Sequence, residues 1–268
     1  MPGTSALRAL GGAAHPGPAL AVTVLTGLLS IPAGLAPGEA ALVTAAVLAG
    51  QLSIGWSNDL IDLARDRQVG RIDKPLATGA VSPVVVRAAC AVAVAATVAL
   101  SLACGLVAGV VHLGCVAAGW AYNLGVKSTL WSWVPYALAF GGLPVFVQLA
   151  GSPSELPPLG IPLAGALLGV GAHLVNVLPD LADDAATGIR GLPHRLGPTW
   201  APVAAVAVLV AASVSVAVGT TSSWRIMGPA LGLVAVLAVV ALVVRGQAPF
   251  RAAIGIALVD VMVLVWAR

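Results

Sequence analysis

Long runs of Ala, Val and Leu, separated by short polar stretches, make up almost all of the chain. Nine of them stand out, near residues 17–36, 38–57, 82–103, 105–122, 131–150, 159–178, 199–218, 227–244 and 249–266. A helix needs about 20 residues to cross a hydrocarbon core of about 30 Å, so each run predicts one span. None shows the alternation of polar and apolar positions that a membrane barrel requires. Pro and Gly punctuate the turns: Pro37-Gly38, Gly79 with Pro83, Pro153 with Pro157-Pro158, Pro193 with Pro198, and Pro249. Only Gly105 separates the third and fourth runs, which predicts a tight helical hairpin. The expected fold is all-α, an integral membrane protein of nine transmembrane helices forming one membrane domain over residues 1–268.

Composition agrees. Mean hydropathy is +1.02. Charged residues make up 9% of the chain, against about 25% in soluble domains. Nine spans in 268 residues leave no room for a sizeable soluble domain. The net charge of +3 is small, and the basic residues sit beside carboxylates instead of forming a stripe, so nucleic acid is not an expected partner. Cys90, Cys104 and Cys115 lie within apolar runs without metal or disulfide spacing and read as small hydrophobes. Residues 1–16 do not resemble a signal peptide, so the first helix is expected to be retained. Arg65, Arg67, Arg71, Lys74, Arg87, Lys127, Arg190, Arg195, Arg245 and Arg251 all flank even-numbered loops, and Arg8 joins them at the N-terminus. The positive-inside rule then predicts a multi-pass protein of the cell membrane, N-terminus and even loops cytoplasmic.

Against this apolar background two acidic stretches stand out. The first is Asn58-Asp59-Leu60-Ile61-Asp62-Leu63-Ala64-Arg65-Asp66, followed by Arg67, Arg71, Asp73 and Lys74. Asp59, Asp62 and Asp66 are spaced i, i+3, i+7, which places them on one helix face. Such close anions repel unless a cation lies among them. Oxygen-only ligands around a di- or polyphosphate suit Mg²⁺, and the basic residues just downstream suit the phosphate. The second is Asn176 through Asp184, where Asn176, Asp180 and Asp184 are spaced i, i+4, i+8. Of ten acidic residues, seven (Asp59, Asp62, Asp66, Asp73, Asp180, Asp183 and Asp184) lie in these two stretches. Both are predicted on the same side, where they can share a pair of metals. Gln51 lies seven residues before Asn58 on the same helix face, deeper in the membrane.

These motifs resemble those of UbiA-type intramembrane prenyltransferases. Asn58-Asp59-x-x-Asp62-x-x-x-Asp66, continuing to Arg71 and Lys74-Pro75-Leu76, resembles the family's first signature. Asn176-x-x-x-Asp180-x-x-x-Asp184-x-x-x-Gly188 is similar to the second. Tyr122-Asn123-Leu124-Gly125-Val126-Lys127 is similar to the Tyr-x-x-x-x-basic element after the fourth helix. Lys74 stands where the family commonly has Arg, and Val177 where it is often polar. The resemblance implies a helical bundle around a central cavity, capped on the cytosolic side by the aspartate loops. It implies Mg²⁺ as cofactor, an isoprenyl diphosphate donor and a small aromatic or lipophilic acceptor as partners. It also implies diphosphate departure through an allylic carbocation.

On that resemblance the expected metal residues are Asp59, Asp62, Asp66, Asp180 and Asp184. Arg67, Arg71, Lys74, Lys127, Asn58 and Asn176 are expected at the diphosphate. Asp59, Asp62, Asp180, Lys127 and Tyr122 are expected to carry catalysis. Gln51, His15 and His173 are candidates for the acceptor. No Lys or Arg occurs between Arg8 and Arg65 or between Arg87 and Lys127, which argues against a simple benzoate acceptor unless its carboxylate sits near the loop cations. The same absence raises an alternative, a UbiA-type terpene cyclase whose prenyl chain supplies its own nucleophile. A third reading is a non-catalytic lipid-binding membrane protein.

Overall fold

The computed structural model describes residues 2–186, 188–220 and 223–266, and among these every side chain except those of residues 2–5, 182 and 183. Ala182 and Asp183 of the second acidic stretch thus lie outside the described side chains. Eleven helices follow in order: α1 (Pro2–Gly12), α2 (Pro16–Leu29), α3 (Pro37–Gln68), α4 (Pro83–Ala103), α5 (Leu106–Leu124), α6 (Val134–Gly151), α7 (Gly160–Val177), α8 (Leu181–Ala186), α9 (Leu192–Gly219), α10 (Trp224–Val243) and α11 (Ala248–Trp266). Among the described residues there is no strand. Within the described residues eight helices are long and apolar enough to cross a membrane by themselves.

The first span departs from expectation. α2 has 14 residues, about 21 Å of helix, short of the hydrocarbon core. It forms a ninth span only together with α1, and the two are bent by 68°. The break follows from local chemistry. Pro16 and Pro18 open α2, and His15 just before them sits at φ 53°, ψ 62°, left-handed backbone that a non-glycine residue rarely adopts. At its other end α2 gives way to turns through Pro32 and Gly34 before α3 begins at Pro37.

α3 is also longer than its apolar run. It does not end near residue 57 but continues to Gln68, 32 residues in all. The first acidic stretch is therefore the last turns of a transmembrane helix and not a loop. The second behaves differently. α7 ends at Val177, a 3₁₀ turn covers Leu178–Asp180, and α8 follows. Pro179 lacks the N–H that would continue an α-helical ladder, so Asn176, Asp180 and Asp184 do not share one continuous helix face.

α2, α3, α5, α6, α7 and α11 form a closed ring in which each helix packs against the next. α4 lies outside α3 and α5; α9 and α10 lie outside α7 and α11. One apolar core, with Val43, Val47, Phe146 and Val147, joins α3 to α6. Another, with Leu174, Leu209, Val234 and Ile256, joins α7, α9, α10 and α11. In a lipid solvent such contacts stabilise mainly through close packing, and polar side chains at membrane depth find interhelical partners. His112 stacks on Phe146 with centroids 4.5 Å apart and meets Ser101 at 2.7 Å. Ser213 donates to Asp260 at 3.1 Å, while Arg251 bonds Gln247 instead of Asp260.

The broken first span is seated on α3 at one point. The Ala14 carbonyl lies where a Cβ on Gly55 would be. At the next residue, the Trp56 indole N–H donates to the Leu10 carbonyl at 3.0 Å. Gly55→Ala must push the break outward, whereas Gly38→Ala meets nothing within 4 Å. Overpacking of this kind costs about 1–3 kcal/mol. In detergent, Gly55→Ala is expected to lower the midpoint of thermal unfolding by several degrees, and Gly38→Ala to leave it unchanged.

Candidate active site at the acidic end of the bundle

The ring of helices encloses a cavity of about 250 Å³. Its walls come from α2, α3, α5, α6, α7 and α11, and most of the lining is apolar. At its acidic end stand His15, Asn58, Tyr122, Asn123, Tyr136 and Asn176, and Gln51 lies deeper.

Asp59, Asp62 and Asp66 are all buried, at 2%, 6% and 2% exposure. A carboxylate at such depth demands a counter-charge, and each has one. Lys74 Nζ lies 2.6 Å from Asp59 Oδ1, and His15 Nε2 lies 2.8 Å from the same oxygen. Lys74 Nζ and His15 Nε2 are themselves 2.8 Å apart, so one carboxylate oxygen gathers a residue from α2's N-terminus and one from the loop after α3. The other oxygen, Asp59 Oδ2, is buried and has no hydrogen-bond partner among the described residues. Lys127 Nζ lies 2.6 Å from both oxygens of Asp62. Arg65 Nη2 reaches Asp62 at 3.1 Å and Asp66 at 3.3 Å.

The second acidic stretch is joined to the first through shared arginines. Arg65 Nη1 lies 3.9 Å from Asp184, so one guanidinium contacts Asp62, Asp66 and Asp184. Arg71 forks onto Asp73 through two bonds of 2.8 Å and lies 3.5 Å from Asp180. Its hydrogen bonds to Asp73 hold its pKa above the usual arginine range and pull the Asp73 carboxyl down to about 2. Burial raises the pKa of Asp184, opposed by the charge of Arg65. His194 Nε2 lies 3.6 Å from the same carboxylate. The two stretches, more than a hundred residues apart in sequence, thus meet at one end of the bundle.

Amides and hydroxyls fix the mouth between them. Asn58 donates to Asp62 and to Asn123 Oδ1, each at 3.2 Å. Asn123 in turn donates to the Ile54 carbonyl at 2.9 Å and to Ser57 at 2.8 Å. Tyr136 is hydrogen-bonded to Asn176. Ser132, wholly buried, meets His173 Nε2 at 3.0 Å and accepts from the Leu192 N–H at 2.9 Å. Gly191 makes this possible: a Cβ there would lie 2.6 Å from the Lys127 carbonyl. The segment carrying Lys127 thereby holds the end of the second acidic loop.

Most of the expected site residues therefore converge: His15, Gln51, Asn58, Asp59, Asp62, Asp66, Arg71, Lys74, Tyr122, Lys127, Asn176, Asp180 and Asp184. Two do not. Arg67 is exposed and has no side-chain partner among the described residues, because it follows Asp66 by one position and points off the acidic face. His173 is buried behind the wall: its ring packs 4.8 Å from Tyr136 and 5.6 Å from Tyr122, and it does not line the cavity. Arg190 and Arg195 are exposed. Sequence reasoning missed Arg65, Asn123 and Ser132. The spacing of Arg65 three residues after Asp62 was a usable signal, as was Asn123 beside Tyr122; nothing in the sequence marks Ser132. Among the described residues no three His, Cys, Asp or Glu side chains are already clustered for a metal. Their carboxylates face Lys, Arg and His instead.

A ring of apolar helices around a greasy cavity, with carboxylates, cations and amides gathered at one end, defines a membrane protein with a polar-capped intramembrane cavity. The UbiA prenyltransferase family matches residues 19–257, and the chain belongs to that family. The chain is 33% identical over 209 residues to the bacteriochlorophyll synthase 33 kDa chain of Cereibacter sphaeroides, covering 72% of this chain and 67% of that one. A UbiA homolog from Archaeoglobus fulgidus, solved with GPP and Mg²⁺, has the same fold at a TM-score of 0.73 and 15% identity, over 97% of this chain and 98% of that one. The apo UbiA homolog from Aeropyrum pernix K1 superposes with a TM-score of 0.75 at 19% identity, over 91% and 96%. The protein is accordingly a multi-pass membrane prenyltransferase.

Arg65 is the one described side chain that contacts both acidic stretches at three carboxylates. Arg65→Gln is expected to raise amide hydrogen exchange in residues 181–190 while leaving α4 and α5 unchanged. Exchange monitored by mass spectrometry in micelles measures this.

Proposed function

We propose that the protein transfers a prenyl group from an isoprenyl diphosphate to a small aromatic or lipophilic acceptor, with Mg²⁺ bound by the two acidic stretches. The observation that carries this reading is the convergence of Asp59, Asp62, Asp66, Asp180 and Asp184 over the mouth of an apolar cavity. The donor set suits a hard cation: it is all oxygen, and Asp59 Oδ2 is a buried acceptor without a partner. Asp59, Asp62, Asp66, Asp180 and Asp184 would hold the metal. When bound, Mg²⁺ neutralises charge on the diphosphate oxygens.

The chain's own residues do the remaining work. Lys74, Lys127 and Arg71 are within reach of both carboxylates and a diphosphate placed between them, and their positive charge stabilises the anion as it leaves. Asn58 and Asn176, at the rim of the cavity, hydrogen-bond the head group. The bond between donor C1 and its diphosphate oxygen breaks, and the electron pair leaves with the diphosphate. The allylic carbocation then takes an electron pair from the acceptor, which loses a proton. Tyr122 and Tyr136 line the cavity at the mouth and Phe140 below it, where their ring faces favour a cation. Lys74, a point charge where an Arg would fork, contacts Asp59 and His15 and keeps a third N–H for phosphate. The chain acts as one membrane domain with its N-terminus and acidic end at the cytoplasmic face, where water-soluble diphosphates are made.

The GPP and Mg²⁺ bound to the Archaeoglobus homolog support this choice of donor class. Purified protein with Mg²⁺ and geranyl, farnesyl or geranylgeranyl diphosphate is expected to release pyrophosphate and prenylate an acceptor, read by mass spectrometry. A cyclised hydrocarbon formed without acceptor would replace transfer with cyclisation, and no pyrophosphate from any donor would remove the enzymatic reading. Asp59→Asn and Asp180→Asn are expected to lower pyrophosphate release at least a hundredfold with the fold retained. A variant of either that stays active would take that residue out of the metal site.

A further inference from the structure

The polar groups that line the cavity divide into two sets. Asn58, Asn123, Tyr136, Asn176 and His15 are engaged with one another or with Asp59 and Asp62. The Gln51 amide and the Tyr122 hydroxyl have no hydrogen-bond partner among the described residues. They stand at different depths. Asn123, next to Tyr122, bonds the Ile54 carbonyl and Ser57, which places Tyr122 at the level of the mouth. Gln51 lies on the same face of α3 as Asn58 but seven residues earlier, about 10 Å deeper. Around it the cavity wall is apolar: Ala21, Val22 and Leu25 of α2, Ala139 and Phe140 of α6. Among the described residues no Asp, Glu, Lys or Arg side chain lines the cavity at any depth.

A primary amide facing an apolar hollow within the hydrocarbon layer is costly unless something inside bonds it. Other polar residues at comparable depth, His112 with Ser101 and Ser213 with Asp260, have neighbouring helices as partners. Gln51 instead faces the space where substrate lies. An amide offers one accepting and one donating end without charge. It suits a hydroxyl or carbonyl, whereas a carboxylate at that depth would find no cation to offset its desolvation.

We propose that Gln51 is the acceptor-recognition residue, and that the acceptor is a neutral lipophile carrying a hydroxyl or carbonyl at the end remote from its reacting atom. This rests on the prenyl-transfer reading above and adds the chemical class of the second substrate. The reacting end lies at the mouth beside Tyr122, and the remote polar group reaches down to Gln51. The rest of the lining takes the apolar body of both substrates.

Three rigid probes separate the possibilities: naphthalene-2,6-diol, with a neutral hydroxyl at each end; 2-naphthol, without the remote hydroxyl; and 6-hydroxy-2-naphthoate, with a remote carboxylate. Binding is measured by calorimetry on the full chain in nanodiscs, with Mg²⁺ and the unreactive donor geranyl S-thiolodiphosphate present. The diol is expected to bind roughly two- to tenfold more tightly than 2-naphthol, the range one neutral hydrogen bond supplies. The naphthoate is expected to bind weakest. In Gln51→Leu the advantage of the diol disappears while 2-naphthol binding holds. Gln51→Asn, which withdraws the amide by one methylene, gives an intermediate result and guards against a folding defect of the leucine variant. Tightest binding by the naphthoate, equal losses for diol and naphthol in Gln51→Leu, or no binding by any probe overturns the proposal. Pyrophosphate release from geranyl diphosphate by the wild-type protein is measured in parallel. If it is absent while the diol preference depends on Gln51, the transfer reading fails and the neutral-ligand subsite stands.

Discussion

Buried carboxylates in a membrane protein need positive charge close by, and that requirement organises the acidic end of this bundle. Asp59, Asp62 and Asp66 lie on the inward face of α3, where little water reaches them. Their counter-charges come from separate parts of the chain: His15 from the break before α2, Lys74 from the loop after α3, Lys127 from the turn after α5 and Arg65 from α3 itself. The pairs with His15, Lys74 and Lys127 each tie another segment to the same helix end. Removing one partner of such a pair leaves an uncompensated charge, which is far more costly than the pair is stabilising. The arrangement therefore specifies where the segments meet, even where each pair adds little net stability.

The same chemistry makes the site usable. Carboxylates that satisfy ammonium and guanidinium groups can satisfy a divalent ion, and cations that satisfy carboxylates can satisfy a diphosphate. The charges at the mouth already pair with one another, so on the proposed reading a metal and a diphosphate would exchange partners with groups already positioned, and little reorganisation would be needed. Below this polar lid the ring of helices presents an almost uniformly apolar wall, which would suit the isoprenoid chain of the proposed donor. Among the described residues Gln51 is the one unengaged amide in that wall, and it is the group we propose distinguishes acceptors.

The break in the first span belongs to the same design. A continuous helix through residues 6–29 would carry His15 away from α3. Proline at positions 16 and 18 and a left-handed His15 bend the chain by 68° and bring the imidazole onto Asp59. Gly55 accepts the close approach of Ala14, and Trp56 fastens the preceding helix. Backbone strain at a residue that also faces the cavity is a common mark of a functional position, where surrounding contacts over-determine the geometry.

The sequence by itself determined the membrane class, the number of apolar segments, the hairpin at Gly105 and the two acidic stretches, because each is written in local hydropathy or in residue spacing. It also determined that Asp59, Asp62 and Asp66 share a face, since helix periodicity alone sets that. Tertiary structure decided the rest. The convergence of Asp180 and Asp184 with α3 depends on how α7 packs in the ring, and Arg65 became a bridge only once they met. The 3₁₀ turn at Pro179, the extension of α3 to Gln68 and the bend at His15 each override a hydropathy boundary, because polar residues continue or break a helix according to what they touch. His173 turned from the cavity toward Ser132, and Arg67 turned to solvent, for a similar reason: composition reports which groups need partners, and only packing decides which partners are within reach.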